Sequence, residues 1–517
     1  HQHVQLISGA MRQGFDLLRV RNILWSCRRC RGHGPDHWSV LKKKRTAKDK
    51  ALEHFNDFYA TVYGDVWPNI RYAMLKKSHK YVAVVNNFSD TQEIVQKLQL
   101  QGAMDLKELY EVSKRSKVER DKKKERLETE KPVYKMSLPM EDVLEKKTYS
   151  ELKTLFPDNY EPSMKALEQE DDGLPPKVEP LEPVQLRPLE EDLAVAQLDE
   201  SRIIKPDTGI SASSLYEYIP ATKLKGLEDY VLESEHYGYY SKSADFEINV
   251  EQDSRFSFPE HLKVFTFDAG NDSTFPSPRR GSTGVFDYYL MDGGSVLPVL
   301  ALDLRPGDVV LDMCAAPGGK SLIALQTLLP SMLVANDLKM QRVNMINDVV
   351  DEYLGDLDVW TGKLFVTQQD ARLIEDRNVY NKILVDVPCT TDRHNLHNDD
   401  SNIFSPTRIK ERLQLPEYQS SILQQALKIV PVGGTVVYST CSLSPIQNDG
   451  VVQMALKKNW EETRSVMVVK DIKEGLGPLR VIYKFAEDFG FKYGTVVLPT
   501  KKSNFGPTYF SKIVRMH

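Results

Sequence analysis

The feature that most constrains the fold of this 517-residue chain is an alternation of short apolar runs with amphipathic helical stretches after Leu262. The apolar runs predict strands at 309–313, 333–336, 364–367, 383–387 and 435–439, and the stretches 321–329 and 419–430 predict helices between them. Strands that alternate with helices form a mostly parallel sheet covered on both faces. We therefore predict an α/β, Rossmann-like domain that binds ligands beyond the carboxyl ends of its strands.

Composition divides the rest of the chain. Residues 46–111 combine helical spacing of apolar side chains with a short apolar strand at 81–85, which predicts a small N-terminal α+β module. The stretch 141–200 has 17 acidic and 6 basic side chains with scattered prolines, so residues 112–214 are predicted to be a charged, Pro-rich and largely disordered linker or insertion. Its basic run at 114–126 is interpreted as solvated surface, with RNA contact as the less favoured alternative. The catalytic domain is assigned to 215–517.

The composition of the first 45 residues bears on where in the cell the protein is located. Six arginines and one acid lie between Met11 and Gly34, interleaved with apolar side chains. This pattern predicts a mitochondrial presequence, with a disordered basic arm that binds nucleic acid as the alternative. Five cysteines in so long a chain do not predict a disulfide framework, and the isolated pair of Cys27 and Cys30 does not predict a metal site. No run reaches the ~18 apolar residues of a membrane span, so no membrane association is expected.

The segment that follows the first strand of the Rossmann-like pattern is the strongest candidate for a ligand-binding loop. It consists of Cys314, Ala315, Ala316, Pro317, Gly318, Gly319 and Lys320. The two glycines allow a ligand to approach the backbone, and the helix start behind them offers amides to a carboxylate. A phosphate-rich nucleotide is disfavoured because Met313 stands where a Walker loop has its upstream glycine.

Acidic residues follow three successive predicted strands. Asp337 comes 19 residues after Gly318, the spacing at which nucleotide-binding folds place an acid against ribose hydroxyls. Asp370 is placed to meet an adenine amino group, and Asp386 lies at the end of the fourth strand. Any one of them could instead cap a helix or sit in a loop. Together they predict a nucleoside that carries an amino acid, namely S-adenosylmethionine.

Two cysteines, Cys389 and Cys441, each follow an apolar strand of the predicted sheet, so both thiols are expected in one cleft. The alternative is that each is a small buried apolar residue. A thiolate suits methylation at C5 of cytosine, because it must first add to C6 to make C5 nucleophilic. An acid beside the base must hold N3 and the amino group as charge develops. The residues alone leave open which thiol attacks.

Several of these motifs are similar to those of a known family. They are Tyr-Tyr-Leu-Met-Asp at 288–292, the loop at 314–320, Val-Pro-Cys-Thr-Thr-Asp-Arg-His at 387–394, Ser-Thr-Cys-Ser-Leu-Ser at 439–444 and Asn-Phe-Gly-Pro at 504–507. The chain resembles the Sun-domain (NOL1/NOP2/Sun) RNA 5-methylcytosine methyltransferases, and most closely their mitochondrial ribosomal-RNA branch. A second match covers Phe55, Gly-Asp-Val-Trp-Pro at 64–68 and Asn-Asn-Phe at 86–88. Val387, Thr390 and Thr391 depart from most of the family and match this branch.

The resemblance implies a class I S-adenosylmethionine-dependent fold and a role for each site residue. It implies that Cys441 is the nucleophile, that Cys389 assists release of the RNA adduct and that Asp386 orients the cytosine. The implied cofactor-binding set is the 314–320 loop with Asp337, Arg342, Asp370, Ala371 and Asp386.

The resemblance also implies ribosomal RNA as substrate, the mitochondrial matrix as location, and a role in assembly of the mitochondrial ribosomal subunit. A helical-repeat partner of the mitochondrial transcription-termination-factor family is expected. The main alternative is a non-catalytic assembly scaffold on the same fold; DNA methylation would instead place the nucleophile at the Pro-Cys motif. His394 and His397 are not expected to bind metal, and Arg393 is a candidate RNA-phosphate contact.

Overall fold

The computed structural model describes residues 46–129 and 246–517, apart from residues 78, 356–359 and 488. The predicted presequence, most of the predicted linker, and Cys27 and Cys30 lie outside these residues. The helices are α1 (Ala47–Tyr63), α2 (Trp67–Leu75), α3 (Thr91–Leu100), α4 (Leu106–Thr129), α5 (Val296–Ala301), α6 (Gly319–Gln326), α7 (Met340–Tyr353), α8 (Asp392–His397), α9 (Ile409–Ile429) and α10 (Val451–Thr463). The strands are β1 (Tyr81–Val85), β2 (Met104–Asp105), β3 (Val250–Gln252), β4 (Val264–Thr266), β5 (Tyr288–Asp292), β6 (Val309–Asp312), β7 (Met332–Asp337), β8 (Leu364–Gln368), β9 (Lys382–Asp386), β10 (Thr435–Thr440), β11 (Met467–Asp471), β12 (Thr495–Val497) and β13 (Thr508–Arg515).

The larger sheet has the strand order β3-β11-β13-β10-β9-β6-β7-β8 among the described residues, with β12 paired to β13. Strands β6 to β10 are parallel, and β13 is antiparallel to both β10 and β11. The chain runs from β6 outward to β7 and β8 and then continues on the other side of β6 with β9 and β10. The strand order therefore reverses between β6 and β9, the place where sheets of this kind bind ligands.

Helices cover both faces of this sheet. Ile383 and Val385 of β9 pack in an apolar cluster with α1, α9 and α10, whereas Leu384 packs in a second cluster with α5, α6 and α7. Successive side chains of a strand point to opposite faces, so a strand buried on both faces needs a continuous apolar run. The five predicted strands are confirmed, with ends that differ by one residue at most, and so is the mostly parallel Rossmann-like fold.

A smaller antiparallel sheet with the order β2-β4-β1-β5 corrects the predicted domain boundaries. Residues 46–111 were expected to form a separate module, and they do contain helices and a strand. However, Ala83 of β1 pairs with Phe265 on one side and with Leu290 on the other, and both partners belong to the segment assigned to the catalytic domain. The two segments therefore share one sheet. Pairing between residues so far apart in the chain leaves no local signal in the sequence.

Helix α4 corrects the predicted start of the linker at residue 112, because it continues to Thr129. Its first turns are anchored by the buried side chains of Leu106 and Tyr110, and the Tyr110 hydroxyl donates to the Phe256 carbonyl oxygen at 2.9 Å. The lysine-, glutamate- and arginine-rich sequence that was interpreted as linker is also a good helix former once its beginning is fixed. Within the described residues, no helix is long and apolar enough to cross a membrane.

Candidate active site

The loop between β6 and α6 lies at the point where the strand order reverses. The backbone of Gly318 has a φ of 114°, a left-handed conformation that favours glycine, and its amide donates to the Ala315 carbonyl oxygen at 2.7 Å. A Cβ atom on Gly319 would lie 2.9 Å from Cε1 of Tyr289, so only glycine fits without a shift. Glycine is therefore favoured at 318 by the backbone conformation and at 319 by the close approach of the Tyr289 ring.

A cleft of about 520 Å³ opens beside this loop. Its lining includes five residues predicted for the site: Cys314, Asp337, Arg342, Ala371 and Cys389. The Asp337 side chain is 6% exposed and its Oδ2 atom accepts a hydrogen bond from Arg342 Nε at 2.9 Å. Arg342 also donates to the Ala316 carbonyl oxygen at 2.9 Å, so it ties β7 to the cofactor loop.

Asp370 follows β8, and its carboxylate is engaged by the turn that comes next. Its Oδ1 atom accepts from the backbone amide of Arg372 at 3.0 Å and caps the 3₁₀ turn at 371–373. The guanidinium of Arg372 also pairs with the Asp370 carboxylate, at 2.6 Å for the shortest contact, and this holds the pKa of Asp370 below its usual range. Arg372 lines the cleft and packs over the ring of Tyr418 at 4.9 Å.

Lys320 and Asp386 form an ion pair across the reversal point. Lys320 Nζ lies 2.7 Å from Asp386 Oδ2, and Ser439 Oγ donates to Asp386 Oδ1 at 2.7 Å. Burial opposes the charge on Lys320, but the adjacent Asp386 carboxylate outweighs it and raises the pKa of Lys320. The carboxylate predicted to orient a cytosine is thus held by one cation and one hydroxyl.

The two predicted cysteines are brought together. Cys389 follows β9 and Cys441 follows β10, and their Sγ atoms are 3.0 Å apart as free thiols. The backbone amide of Cys441 also donates to Cys389 Sγ at 3.3 Å. The hydrogen bond to Cys389 and partial desolvation raise the pKa of Cys441 well above its ordinary value, and Lys320 opposes this rise. Cys441 is exposed to solvent, so a substrate could reach it.

A buried carboxylate, Asp392, joins the two cysteine loops, a role that no sequence pattern indicated. Tyr59 of α1 donates to Asp392 Oδ2 at 2.7 Å, and the backbone amide of Leu443 donates to the same oxygen at 2.8 Å. The hydroxyl groups of Ser442 and Thr390 also donate to Asp392. Burial raises the pKa of Asp392. We call Asp392, Tyr59, Thr390, Ser442 and Leu443 the Asp392 cluster.

Asp312, the last residue of β6, is a second buried carboxylate that sequence reasoning did not single out. Ser321 Oγ donates to its Oδ2 atom at 2.7 Å, whereas Oδ1 has no side-chain donor among the described residues. Burial and the nearby Asp386 raise the pKa of Asp312 to about 7. Its position at the end of a strand, immediately before the cofactor loop, was the available signal.

The remaining candidates have structural roles. Arg393, a candidate RNA contact, donates to the Gly506 carbonyl oxygen at 2.9 Å and to Asn504 Oδ1 at 2.8 Å. His397 Nε2 contacts the Met74 carbonyl oxygen at 2.8 Å. Across residues 46–129 and 246–517, with the gaps given above, no group of three or more potential ligands is placed to hold a metal ion.

The residues of the cleft fit a nucleoside that carries an amino acid. A volume of about 520 Å³ falls within the ~300–1,000 Å³ of small-molecule sites. Asp337, at a strand end, offers the acceptor that ribose hydroxyls need. Within the cofactor loop, α6 begins at Gly319, and the amides of a helix start can hold a carboxylate.

Comparison with known proteins gives matches along most of the chain. A family described as 16S rRNA methyltransferase RsmB/F matches residues 299–488. The 5-cytosine rRNA methyltransferase nsun-4 of Caenorhabditis elegans is 32% identical over 489 residues, which are 92% of this chain and 93% of that protein. The 5-cytosine rRNA methyltransferases NSUN4 of Bos taurus and Mus musculus are each 44% identical over 50% of this chain and 67% of their own length.

Among solved structures, NSun6 from Pyrococcus horikoshii with SFG is 16% identical, with a TM-score of 0.46 over 90% of this chain and 98% of that chain. The family resemblance drawn from the motifs is confirmed by the sequence relatives. Since the Caenorhabditis elegans protein is matched along nearly its whole length, the chain described here belongs to the family of 5-cytosine rRNA methyltransferases.

Proposed function

We propose that this protein transfers a methyl group from S-adenosylmethionine to C5 of a cytosine in ribosomal RNA. The observation that carries the proposal is the pair of thiols 3.0 Å apart at the ends of β9 and β10, beside the ion pair of Lys320 and Asp386. This arrangement supplies a nucleophile, a second thiol and a charged acid in one place, next to a cleft of nucleoside size.

The proposed chemistry assigns one task to each residue. The Cys441 thiolate adds to C6 of the cytosine and makes C5 nucleophilic. Asp386 holds N3 and the amino group of the base as charge develops there, and Lys320 keeps Asp386 in position. When bound, S-adenosylmethionine supplies an electrophilic methyl group. After transfer, a base takes the C5 proton, the electron pair left at C5 restores the C5–C6 double bond, and the Cys441 thiolate leaves C6. Cys389 assists this release.

Binding of the cofactor is assigned to the cleft. Asp337 is proposed to accept hydrogen bonds from the ribose, with Arg342 fixing its carboxylate. The 314–320 loop and the start of α6 are proposed to hold the amino-acid end. Ala371 lines the cleft where the adenine would lie, and Arg372 and Tyr418 beside it offer a stacked guanidinium and ring. Asp370 then contributes by positioning Arg372.

We further propose that the protein acts in the mitochondrial matrix, on RNA of the mitochondrial ribosomal subunit, together with a helical-repeat partner of the transcription-termination-factor family. Support for the location comes from the Arg-rich composition of residues 11–34 and from a relative, the mitochondrial tRNA (cytosine(34)-C(5))-methyltransferase of Mus musculus, which is 33% identical over 50% of this chain. The partner rests on the family resemblance alone. Copurification of tagged protein from isolated mitochondria tests both.

The decisive experiment maps 5-methylcytosine in mitochondrial ribosomal RNA from cells that lack the protein and from cells that carry either the wild type or Cys441→Ala. The proposal expects one cytosine to lose its methyl group and to regain it only with the wild type. If Cys441→Ala restores both ribosome assembly and methylation, the catalytic assignment is wrong. If it restores assembly alone, the protein combines catalysis with the scaffold role that was the main alternative.

A further inference from the structure

A lysine-rich depression lies apart from the methyl-transfer cleft. It has a volume of about 240 Å³ and lies between the loop from α2 to β1 and the segment that leads into β13. Its charged lining is mostly basic, since five lysines and one aspartate, Asp272, contribute to it. The lysines are Lys76, Lys77, Lys80, Lys501 and Lys502. We call these five residues the lysine depression.

Three of the five ammonium groups are available to a ligand. Lys80 is committed to the protein, because its Nζ atom donates to the backbone carbonyl oxygens of Phe267 and Asp268. In contrast, Lys77, Lys501 and Lys502 are exposed, and none of them forms an ion pair with a carboxylate among the described residues. Unpaired like charges repel one another, and a multivalent anion would relieve this repulsion.

Aromatic rings stand beside these charges. Tyr72 is 54% exposed and Tyr81 is 41% exposed, so both rings are accessible to a ligand. Lys76 Nζ lies 5.9 Å from the centre of the Tyr72 ring, and the ring of His79 packs on Tyr81 at 4.4 Å. Burial, Arg393 and His397 lower the pKa of His79 to about 4, so its ring is neutral at physiological pH. Lysines interleaved with exposed rings suit single-stranded nucleic acid, whose phosphates and bases they contact together.

The lysine depression lies at the same end of the large sheet as the two cysteines. The Lys80 amide donates to the Asn504 carbonyl oxygen at 3.2 Å, and Arg393 donates to the Asn504 side chain at 2.8 Å. Arg393 belongs to α8, which begins three residues after Cys389. On the other side, Lys501 and Lys502 precede β13. Tyr509, the second residue of β13, pairs with Thr440, which directly precedes Cys441.

We propose that the lysine depression binds phosphates of the RNA strand that flanks the target cytosine, while Tyr72 and Tyr81 stack on its bases. The inference rests on the proposed RNA methyltransferase activity. An RNA strand that enters the cleft must leave it along the protein surface, and this surface combines proximity to both cysteines with unpaired positive charge. The depression therefore positions the strand and does not take part in the chemistry.

The test compares two double variants of the full-length protein. Lys77→Ala/Lys502→Ala removes two exposed charges of the depression. Lys363→Ala/Arg377→Ala removes two exposed charges that precede the amino ends of β8 and β9, at the opposite end of the strands. Binding of a labelled ribosomal-RNA fragment is measured at several salt concentrations, together with KM and kcat for methyl transfer. Thermal unfolding checks that both variants remain folded.

The depression variant should bind RNA about tenfold more weakly at low salt, and the slope of log Kd against log salt should fall by about 1–2. KM should rise with little change in kcat, because the lost contacts exist before and during the reaction. The control variant should match the wild type. An unchanged salt slope and KM in the depression variant would overturn the inference, as would an equal effect in the control.

Failure of the proposed function is a separate result. If the wild type binds RNA but transfers no methyl group to it, the proposed activity fails, while the salt slopes still report on the depression. If the depression variant binds RNA normally and loses only a protein partner, the surface is a protein interface and the inference is wrong. A dinucleotide that contains the target cytosine, too short to span both sites, should be methylated equally by all variants.

Discussion

Two carboxylates, Asp386 and Asp392, flank the cysteine loops. They differ in the protein groups that replace the water each carboxylate loses on burial. On the cleft side, Asp386 has a cation, Lys320, and one hydroxyl. On the buried side, Asp392 is 0% exposed and its hydrogen-bond donors are neutral, among them the Tyr59 hydroxyl and the Leu443 amide. Both kinds of partner satisfy a carboxylate, but only Asp386 remains partly exposed, at 29%, and can therefore contact a bound base.

From this comparison we expect the two carboxylates to have different roles. The Asp386 side should carry out chemistry, and its loss should reduce turnover while the fold persists. The Asp392 side should hold the two cysteine loops together. Its loss should lower the free energy of unfolding and have only a small effect on the rate of the chemical step. The predictions below separate these two outcomes, because each variant is examined for both turnover and stability.

The largest effect is expected on the cleft side at the thiols themselves. Cys441→Ala should abolish methyl transfer, because without addition at C6 the C5 atom is not nucleophilic. Cys389→Ala should instead let a covalent RNA–protein adduct accumulate, seen as a slower band on denaturing gels. Radiolabelled methyl transfer gives the turnover. Full turnover by Cys441→Ala, or an adduct in that variant and none in Cys389→Ala, would reverse or remove the assigned roles.

Asp386→Asn should lower kcat by about 10²–10⁴-fold, the usual range for loss of a positioned acid or an electrostatic contact to the transition state. Lys320 then loses its carboxylate partner, so the free energy of unfolding should also fall somewhat. Asp303→Asn is the matched control, because Asp303 pairs with Arg305 on the surface. A kcat within threefold of the wild type for Asp386→Asn would contradict the role of this residue.

Cys389→Ala should also change the reactivity of Cys441. The hydrogen bond to Cys389 is the largest cause of the raised pKa of Cys441, so its removal should lower that pKa and increase the thiolate fraction at neutral pH. Alkylation of the Cys441 peptide at pH 7, followed by mass spectrometry, should be about three- to fourfold faster for each unit by which the pKa falls, because a less basic thiolate is also a weaker nucleophile. In both proteins the rate should increase as pH rises. A slower reaction in the variant would show that Cys389 activates Cys441.

On the buried side, Tyr59→Phe should lower the free energy of unfolding by about 1–3 kcal/mol, because it removes a donor from a carboxylate that stays buried. The effect on kcat should be small. Tyr72→Phe is the matched control, since that ring is 54% exposed, and it should leave stability unchanged. Chemical denaturation measures both variants. A large loss of kcat in Tyr59→Phe at unchanged stability would place this residue among the chemical groups.

Much of the cleft side was predictable from sequence, and little of the buried side was. The strands, the glycine loop, both cysteines and Asp337 were identified because each belongs to a short local pattern whose period or spacing is set by one element. Tyr59 and Asp392 are more than 300 residues apart, and nothing near either one records the contact. The shared sheet of β1, β4 and β5 was missed for the same reason. The ion pair of Asp370 with Arg372 was not predicted either.

The smallest predicted effect concerns Asp312, which lies between the two sides. Its pKa is raised from 3.8 to about 7 in the folded protein, so the folded state binds the proton more tightly than the unfolded chain does. The stability from this group is therefore complete at acidic pH and is lost as the pH rises through 7. Between pH 6 and pH 8 the loss should be about 1 kcal/mol. Asp312→Asn lacks this ionisation, so its pH profile should be flatter, and its stability relative to the wild type should increase by about 1 kcal/mol between pH 6 and pH 8.

Ser321→Ala sharpens this prediction. The Ser321 hydroxyl donates to Asp312 at 2.7 Å and lowers the pKa of that carboxyl, so its removal should raise the pKa further. The pH at which stability declines should then move upward, whereas in Asp312→Asn this contribution should vanish. Urea unfolding at half-unit pH steps gives both curves. If the stability of Asp312→Asn falls with pH as steeply as that of the wild type, the pH dependence belongs to another group. Ionisation of the buried Asp312 would then not lower the stability of the fold.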